Sequence, residues 1–293
     1  MVSTEITIVY LLLLVAHTTC RDIPINNGMS AQIDLLIEKH IISRNCIMIK
    51  FGADAITALN TEKGIAVIDA GISTGLTARY RKIIENEFKR NDFVCVINTH
   101  RHPDHIGGAG VFPEAGIIAH YNCLPELLEQ EKDSEERIGA LKNIVEKYDS
   151  QLDSANRGSK GWNEIFTQKT KYLFALDDAT NRKPLKSPVN RFEDSLTIDM
   201  GDYTIEMFFF GKSHSDSDII IYIPQMKLLF TGDLFSRYGR PGFDISEAKD
   251  KKKWLKAVQR VQSYIPNIEK IIDGHGDILS TDDFKSFKRI IEE

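Results

Sequence analysis

Three histidines and one aspartate lie within six residues in the segment Thr99-His100-Arg101-His102-Pro103-Asp104-His105. Imidazole nitrogens and carboxylate oxygens are ligands that Zn²⁺ and similar divalent ions take in proteins. A short apolar run, 93–97, precedes the segment, and Gly107-Gly108 follows it and lets the backbone turn tightly. The pattern predicts a metal site on a loop at the end of a buried strand.

Four further polar residues come directly after predicted strands, beside glycines. Asp69 follows the third predicted strand, and His214, Asp233 and His275 follow strands in the second half of the chain. Loops at strand ends are where open catalytic sites tend to lie. We therefore expect these side chains to approach the histidine-rich segment.

The pattern Thr-His-x-His-x-Asp-His at Thr99 to His105 resembles the signature of the metallo-β-lactamase superfamily. His214, Asp233 and His275 match the remaining motifs in the same chain order. The resemblance covers roughly residues 45 to 280, apart from a helical insert. It implies an α/β protein, a four-layer αββα sandwich with a helical insertion, and the activity of a metal-dependent hydrolase.

The resemblance also implies two metal ions, taken here as two Zn²⁺, although Fe or Mn would suit the same ligands. Each ion would keep a position open for a reactant, as a catalytic site requires. The implied ligands are His100, His102 and His214 for the first ion, Asp104, His105 and His275 for the second, and Asp233 as a bridge between them.

Two aspartates would then act as catalytic residues. Asp233 would bridge both ions together with a water or hydroxide. Two dications that share one water lower its pKa toward neutrality, so that it can act as a hydroxide nucleophile. Asp104 would help orient that hydroxide for attack on an ester, thioester, lactone or β-lactam carbonyl. Asp69 is better suited to positioning a ligand histidine than to binding a metal.

The substrate stays open because this fold hosts many reactions. The true β-lactamases usually carry cysteine or serine where this chain has Asp233, and the aspartate resembles the lactonase, glyoxalase II and general metallohydrolase branches instead. The predicted export disfavours glyoxalase II, whose thioester substrate is cytosolic. A β-lactamase proper remains one alternative. An iron-dependent sulfur dioxygenase of the same fold is another, since it uses some of the same ligands. A binding protein with a degenerate site is disfavoured by the full ligand set.

The N-terminus carries a continuous apolar run from Ile6 to Ala16. It is shorter than the about 20 residues that span a bilayer, and it fits the core of a secretory signal peptide. We therefore predict a signal peptide at 1–20, export to the periplasm or the medium, and one domain over 21–293 without a membrane span. Lipid attachment at Cys20 is disfavoured because the preceding residues match that signal poorly.

The net charge of −5 and the absence of a basic stripe argue against a nucleic-acid partner. The expected partner is a small-molecule substrate, and the oligomeric state is left open. In the glycine- and proline-rich stretch 236–243, Arg237, Tyr238 and Arg240 are candidates for binding an anionic group, although a solvated loop is the favoured interpretation.

Short apolar runs alternate with helical spacings along the chain, which indicates a layered α/β architecture. A stretch at about 125–166 has helical spacing and many charges, and we interpret it as an inserted helical cap. The expected strands are 46–51, 53–59, 65–69, 93–97 and 116–120, then 196–198, 203–209, 219–223, 227–230 and 268–272. The other expected helices are 77–90, 252–263 and 284–291.

Overall fold

The computed structural model describes residues 27–123, 134–183, 185–234, 251–264, 267–280 and 282–283. The predicted signal peptide, the loop 236–243 and the predicted closing helix 284–291 lie outside these residues. Within the described residues, two mixed β-sheets pack face to face and helices cover both outer faces. This is the predicted αββα sandwich.

The first sheet has seven strands that are arranged in chain order. Its first four strands form an antiparallel meander, and its last four run parallel. The strands are β1 (Glu38–Ser43), β2 (Cys46–Phe51), β3 (Asp54–Thr61), β4 (Gly64–Ile68), β5 (Phe93–Ile97), β6 (Gly116–His120) and β7 (Asn190–Phe192).

The second sheet has six strands in the order β13-β12-β11-β10-β9-β8. All neighbouring pairs are antiparallel except β11 and β12, which are parallel. The strands are β8 (Ser195–Asp199), β9 (Thr204–Phe208), β10 (Ile220–Ile223), β11 (Leu228–Phe230), β12 (Lys270–Ile272) and β13 (Ile278–Leu279).

Six α-helices belong to the described residues, and two of them start at a serine cap. Ser73 accepts a hydrogen bond from the backbone N–H of Leu76, and Ser159 accepts one from that of Trp162. The helices are α1 (Asn27–Leu36), α2 (Thr74–Phe88), α3 (Pro103–Ile106), α4 (Ser134–Ser154), α5 (Lys160–Thr180) and α6 (Lys251–Tyr264).

Three apolar clusters hold the layers together. The cluster between the sheets contains inward-facing residues of both, such as Met48, Ile97 and Ile221. Helices α1, α2, α4 and α5 pack on the outer face of the first sheet, and α6 packs on the outer face of the second. Successive side chains of a strand point to opposite faces of its sheet, and apolar clusters cover both faces of the central strands. Most residues of these strands are therefore apolar.

The helical insert extends further than its predicted end near residue 166. Helix α5 continues to Thr180 because Phe166, Thr170 and Phe174 recur every four residues and are buried against the body of the protein. The turn between α4 and α5 lies at residues 155–159. Residues 124–133 of the insert lie outside the described residues.

Three short strands were not predicted. Strand β1 lies at the sheet edge and only one of its six residues is buried, so its sequence lacks the apolar pattern of a strand. Strands β7 and β13 are three and two residues long, which is too short for an alternating pattern to show. Across the described residues, none of the helices has the length and apolar content needed to cross a bilayer.

Candidate metal centre

Parallel strands bring the predicted site residues to one edge of each sheet. In the first sheet Ile68 pairs with Ile97, so the chain leaves β4 at Asp69 beside the point where β5 leads to Thr99. In the second sheet Phe230 pairs with Ile272, so the loops that carry Asp233 and His275 start at the same level. The carboxyl ends of these strands therefore converge on one centre.

The histidine-rich loop begins as an extended chain and then turns into a short helix. His102 has an extended backbone, with φ −65° and ψ 145°, and Pro103 starts α3 directly after it. Asp104 and His105 therefore lie in the first turn of α3, whereas His100 and His102 precede it. The change from strand to helix separates the four side chains into two groups.

The first group comprises His100, His102, His214 and Asp233, whose ligand atoms all lie within 4.8 Å of one another. Nε2 of His214 lies 3.0 Å from Nδ1 of His102 and 3.6 Å from Oδ2 of Asp233. Nε2 of His100 lies 3.9 Å from the same oxygen. Three imidazole nitrogens and a carboxylate oxygen thus face one point, as the ligands of a tetrahedral metal site do.

The second group comprises Asp104, His105 and His275, which meet the same distance limit. Nε2 of His105 lies 3.9 Å from Oδ1 of Asp104 and 3.6 Å from Oδ1 of Asp233. Nε2 of His275 lies 3.2 Å from Oδ2 of Asp233. The Asp233 carboxylate therefore lies between the two groups and contacts histidines of both.

Two of these histidines are oriented by hydrogen bonds at the far side of the ring. Nδ1 of His105 lies 2.9 Å from Oδ2 of Asp69, and Nδ1 of His275 lies 2.8 Å from the carbonyl oxygen of Ala53. Each acceptor draws the ring proton to Nδ1 and leaves the Nε2 lone pair directed at the centre. Asp69 has φ +57° and also accepts from the backbone N–H and hydroxyl of Thr99.

Several polar atoms at the centre are buried and have no hydrogen-bond partner. These atoms are Nε2 of His100, Nε2 of His105 and Oδ1 of Asp233. A buried polar atom without a partner costs about 1–3 kcal/mol, and the cost falls away when a cation is bound there. The residues present therefore fit a metal site.

The pKa shifts separate the histidines of the two groups. Burial, together with the neighbouring His105, lowers the pKa of His100 well below its usual value, and burial beside His214 lowers that of His102 to about 4. Both imidazoles are neutral near pH 7, which is the form that binds a metal.

The second group has the opposite tendency. Burial acts to lower the pKa of His105, but the carboxylates of Asp233, Asp69 and Asp104 outweigh it and raise the pKa well above its usual value. The pKa of His275 is also raised, because Asp233 outweighs burial. Burial opposes ionisation of Asp233, yet His275 and His105 hold its pKa well below the usual range. This excess of negative charge suits a dication, which would replace the protons.

The backbone at position 274 passes so close to the centre that only glycine fits there. A Cβ atom there would lie 2.3 Å from Oδ1 of Asp233 and 2.7 Å from Cε1 of His105. The Gly274 N–H donates to the carbonyl oxygen of Gly232 at 2.7 Å, which ties together the loops of Asp233 and His275. A larger residue would displace both side chains.

Carboxylates behind the centre shape the loops that carry its histidines. Asp218 accepts from the Ser213 hydroxyl at 3.1 Å and from the Ser215 backbone, around His214. Asp273 accepts from the N–H groups of His275 and Asp277 at 3.0 and 2.8 Å. Asp273 was not predicted, and its position in Asp-Gly-His-Gly-Asp was the available signal.

Other candidates lie elsewhere. His120 donates through Nε2 to the Glu193 carbonyl oxygen at 2.8 Å and stacks on Phe209 at 3.7 Å, away from both groups. Asp277 forms an ion pair with Lys50 at 3.0 Å. Arg237, Tyr238 and Arg240 lie outside the described residues.

Proteins of known function are similar to this chain in sequence. The chain is 25% identical over 222 residues to metallo-beta-lactamase type 2 of Bacillus cereus, covering 75% of this chain and 66% of the relative. It is 22% identical over 245 residues to the linear primary-alkylsulfatase of Pseudomonas sp. (strain ATCC 19151), covering 76% and 41%. The chain thus spans just under two thirds of the first relative and less than half of the second.

Solved structures share the fold. A metallo-beta-lactamase from Pontibacter korlensis superposes with a TM-score of 0.58 at 18% identity, covering 88% of this chain and 99% of that one. The DIM-1 metallo-beta-lactamase gives 0.60 at 15% identity, covering 87% and 97%. The family model of the metallo-beta-lactamase superfamily matches residues 50–267, about three quarters of the chain. The chain therefore belongs to the metallo-beta-lactamase superfamily, a family of metal-dependent hydrolases.

Proposed function

We propose that this protein is a hydrolase with a dinuclear metal centre, most simply two Zn²⁺ ions. His100, His102 and His214 would hold the first ion, and Asp104, His105 and His275 the second. The observation that carries the proposal is the position of Asp233, whose carboxylate lies within 3.9 Å of histidine nitrogens from both groups. A carboxylate in that position is suited to bridging two cations.

The ions, when bound, would supply an activated water and draw electron density from the substrate. The protein's part is to fix the positions of the ions through the orientation of their ligands. Thr99, Asp69 and the Ala53 carbonyl hold the histidine rings in one orientation, which preserves the arrangement before the substrate arrives. Such fixed polar groups need little rearrangement during the reaction.

Asp104 differs from Asp233 in its exposure. The side chain of Asp104 is 27% exposed, whereas that of Asp233 is 8% exposed. Asp104 therefore borders the space that a substrate would occupy, and Asp233 lies behind it. We assign Asp104 the role of orienting the attacking water and holding its proton, and Asp233 that of a bridging ligand.

The substrate would be a small molecule with a hydrolysable ester, thioester, lactone or β-lactam carbonyl. The bridging Asp233 favours the first three groups. The likeness to β-lactamases and to an alkylsulfatase supports including a β-lactam and an alkyl sulfate ester in any substrate panel.

The test combines metal analysis with turnover. Zinc content of the natively purified protein would be measured by mass spectrometry, and hydrolysis would be measured across the panel before and after chelation. We expect two metal equivalents and chelator-sensitive turnover that is lost in His102→Ala and Asp233→Ala. The matched control is His40→Ala, a histidine on β1 that contacts Glu38 at 3.1 Å.

Two results would overturn the proposal. Unchanged turnover in both His102→Ala and Asp233→Ala would exclude the metal mechanism. Iron in place of zinc, together with oxygen uptake on a persulfide substrate, would replace hydrolysis by sulfur dioxygenation.

A further inference from the structure

A cavity of about 520 Å³ opens beside Asp104, between the histidine-rich loop and the helical insert. Its size is within the range of small-molecule binding sites. Asp104 is a member of the second metal-ligand group, so the cavity begins at the candidate centre and leads away from it along α4 and α5. A substrate whose reactive group lay at the centre would extend into this space.

Most of the cavity wall is apolar. Leu141 on α4 and Ala175 on α5 are buried in the same cluster as Ile72, which precedes α2. Tyr172 and Pro103 complete the wall beside Ala140. Such a surface favours an aliphatic or aromatic body, since burying apolar area contributes roughly 25 cal/mol per Å².

Among the described residues that line this apolar cavity, one is a cation. Arg137 on α4 is half-buried, and among the described residues its guanidinium has no hydrogen bond and no ion pair. Burial lowers the pKa of Arg137, and the negative charge of Asp178 opposes this shift. Asp178 is already engaged, because it accepts from Thr74 and lies 2.8 Å from Nζ of Lys183. Asp178 therefore acts on Arg137 only at a distance, and the guanidinium donors of Arg137 stay available to a ligand.

Other charges near the cavity do not cancel that of Arg137. Glu136 also lines it, but this side chain is exposed and adjacent in the helix, where neighbouring residues do not face each other. Lys171 adds positive charge from α5: it is 4% exposed and contributes to lowering the pKa of Asp104. Among the described residues that line the cavity, Arg137 is therefore the cation available to an anionic group.

We propose that Arg137 determines specificity by binding an anionic group, a carboxylate or a sulfate, at the end of a substrate whose apolar body fills this cavity. The planar guanidinium presents paired donors that match either oxyanion. That the ligand is a substrate rests on the proposed hydrolase function. The enzyme then prefers amphiphilic anions to neutral molecules of the same shape.

Binding tests the proposal without requiring turnover. Titration calorimetry on the full-length, metal-loaded protein would compare hexane-1-sulfonate and heptanoate with hexyl methyl sulfone, in which a methyl group replaces the charged oxygen. We expect Arg137→Gln to weaken binding of both anions about tenfold or more and to leave sulfone binding unchanged. Arg137→Lys should recover part of the loss, because it restores charge without the planar fork.

Arg157→Gln is the matched control. Arg157 lies in the turn between α4 and α5, with its guanidinium 5.9 Å from the Trp162 ring, outside the cavity. This variant should bind all three probes as the wild type does. Equal weakening of anions and sulfone in Arg137→Gln, or no weakening of either, would overturn the proposal.

A kinetic comparison extends the test to substrates. For p-nitrophenyl monoesters of glutarate and of pentanoate, Arg137→Gln should raise KM for the charged ester and leave the neutral ester unaffected. Absence of metal-dependent hydrolysis alongside Arg137-dependent sulfonate binding would defeat the proposed function and leave this anion site standing. Metal-dependent hydrolysis without any preference for the charged ester would support the proposed function and overturn the anion site.

Discussion

Oδ2 of Asp69 lies 2.9 Å from Nδ1 of His105, and this contact links the first sheet to the candidate centre. Asp69 stands at the end of β4 in a left-handed backbone conformation, and it is 3% exposed. Its other contacts, to Thr99, fix the start of the histidine-rich loop. One buried carboxylate thus sets both the position of the loop and the tautomer of a metal-binding ring.

Replacing Asp69 by asparagine should weaken metal binding about 10- to 100-fold. The asparagine oxygen would still accept from Thr99, but its amide group would donate to Nδ1 of His105 and favour the tautomer with the proton on Nε2. That proton would occupy the lone pair directed at the centre. Chelator competition would measure the zinc affinity.

Asp202→Asn is the control for this change, because Asp202 also accepts a backbone hydrogen bond, from Glu62, but lies on the surface. Its metal affinity should equal that of the wild type. Wild-type affinity in Asp69→Asn would show that Asp69 does not set the His105 tautomer.

Gly274→Ala should abolish turnover. The new methyl group would lie within 2.7 Å of atoms of Asp233 and His105, so both side chains would have to move away from their present positions. Gly139→Ala on α4 provides the contrast, since a Cβ there meets nothing within 4 Å, and alanine stabilises a helix interior by up to about 1 kcal/mol. Turnover and thermal unfolding would be measured for both variants, and an active Gly274→Ala would refute the argument.

The sequence was sufficient to predict which residues converge, because ligand types, glycines and strand ends recur together. His100 and His275 each follow an apolar run that forms a strand, and parallel pairing brings these strand ends beside those that lead to Asp69 and Asp233. Strand β9, which leads to His214, runs in the same direction as β11 because both pair antiparallel with β10. Strands β2 and β5 were predicted with their observed bounds, since nearly all of their residues are apolar and most are buried.

The remaining features depend on contacts between distant parts of the chain. Arg137 resembles any charged residue of an amphipathic helix until α5 and the loop at Asp104 enclose it. Likewise β1 is a strand because it pairs with β2, and its own residues show little alternation in burial. Asp273 acts through backbone hydrogen bonds, which leave no periodic pattern in the sequence.

Trp254→Phe should lower kcat several-fold while the protein stays folded. The indole N–H of Trp254, on α6, donates to the carbonyl oxygen of Leu234, the residue after Asp233, and its ring lies 5.9 Å from that of His214. Phenylalanine keeps most of the buried contact but leaves this carbonyl without its donor, at a cost of about 1–2 kcal/mol. The loop that carries Asp233 would then lose its anchor.

Val258→Ala separates that effect from simple destabilisation. Val258 is buried on the same helix, and its truncation should cost about 2 kcal/mol without touching the Asp233 loop. Urea unfolding would establish comparable stability for the two variants. A similar fall in kcat in Val258→Ala would indicate that α6 acts on the centre through stability alone.

Asp54→Asn should stabilise the protein at pH 8 and make little difference near pH 4. Asp54 is buried, and burial raises its pKa although Lys171, the Tyr80 hydroxyl and the Ile72 N–H oppose the shift. An acid whose pKa is raised by folding favours the folded state while protonated, so the wild type loses stability as the pH rises through the folded pKa. Asparagine imitates the protonated form and removes this loss.

Urea unfolding of the metal-loaded protein from pH 4 to 8 would check the Asp54 prediction. The stability of Asp54→Asn relative to wild type should grow with pH, because only the wild type has a carboxyl group to ionise at this position. Asp54→Ala should instead be about 3 kcal/mol less stable than Asp54→Asn at every pH, since it leaves the Ile72 N–H and the Tyr80 hydroxyl, each now 2.8 Å from a carboxylate oxygen, without an acceptor. A constant difference between Asp54→Asn and wild type over this range would mean that Asp54 has the same pKa in the folded and unfolded chains.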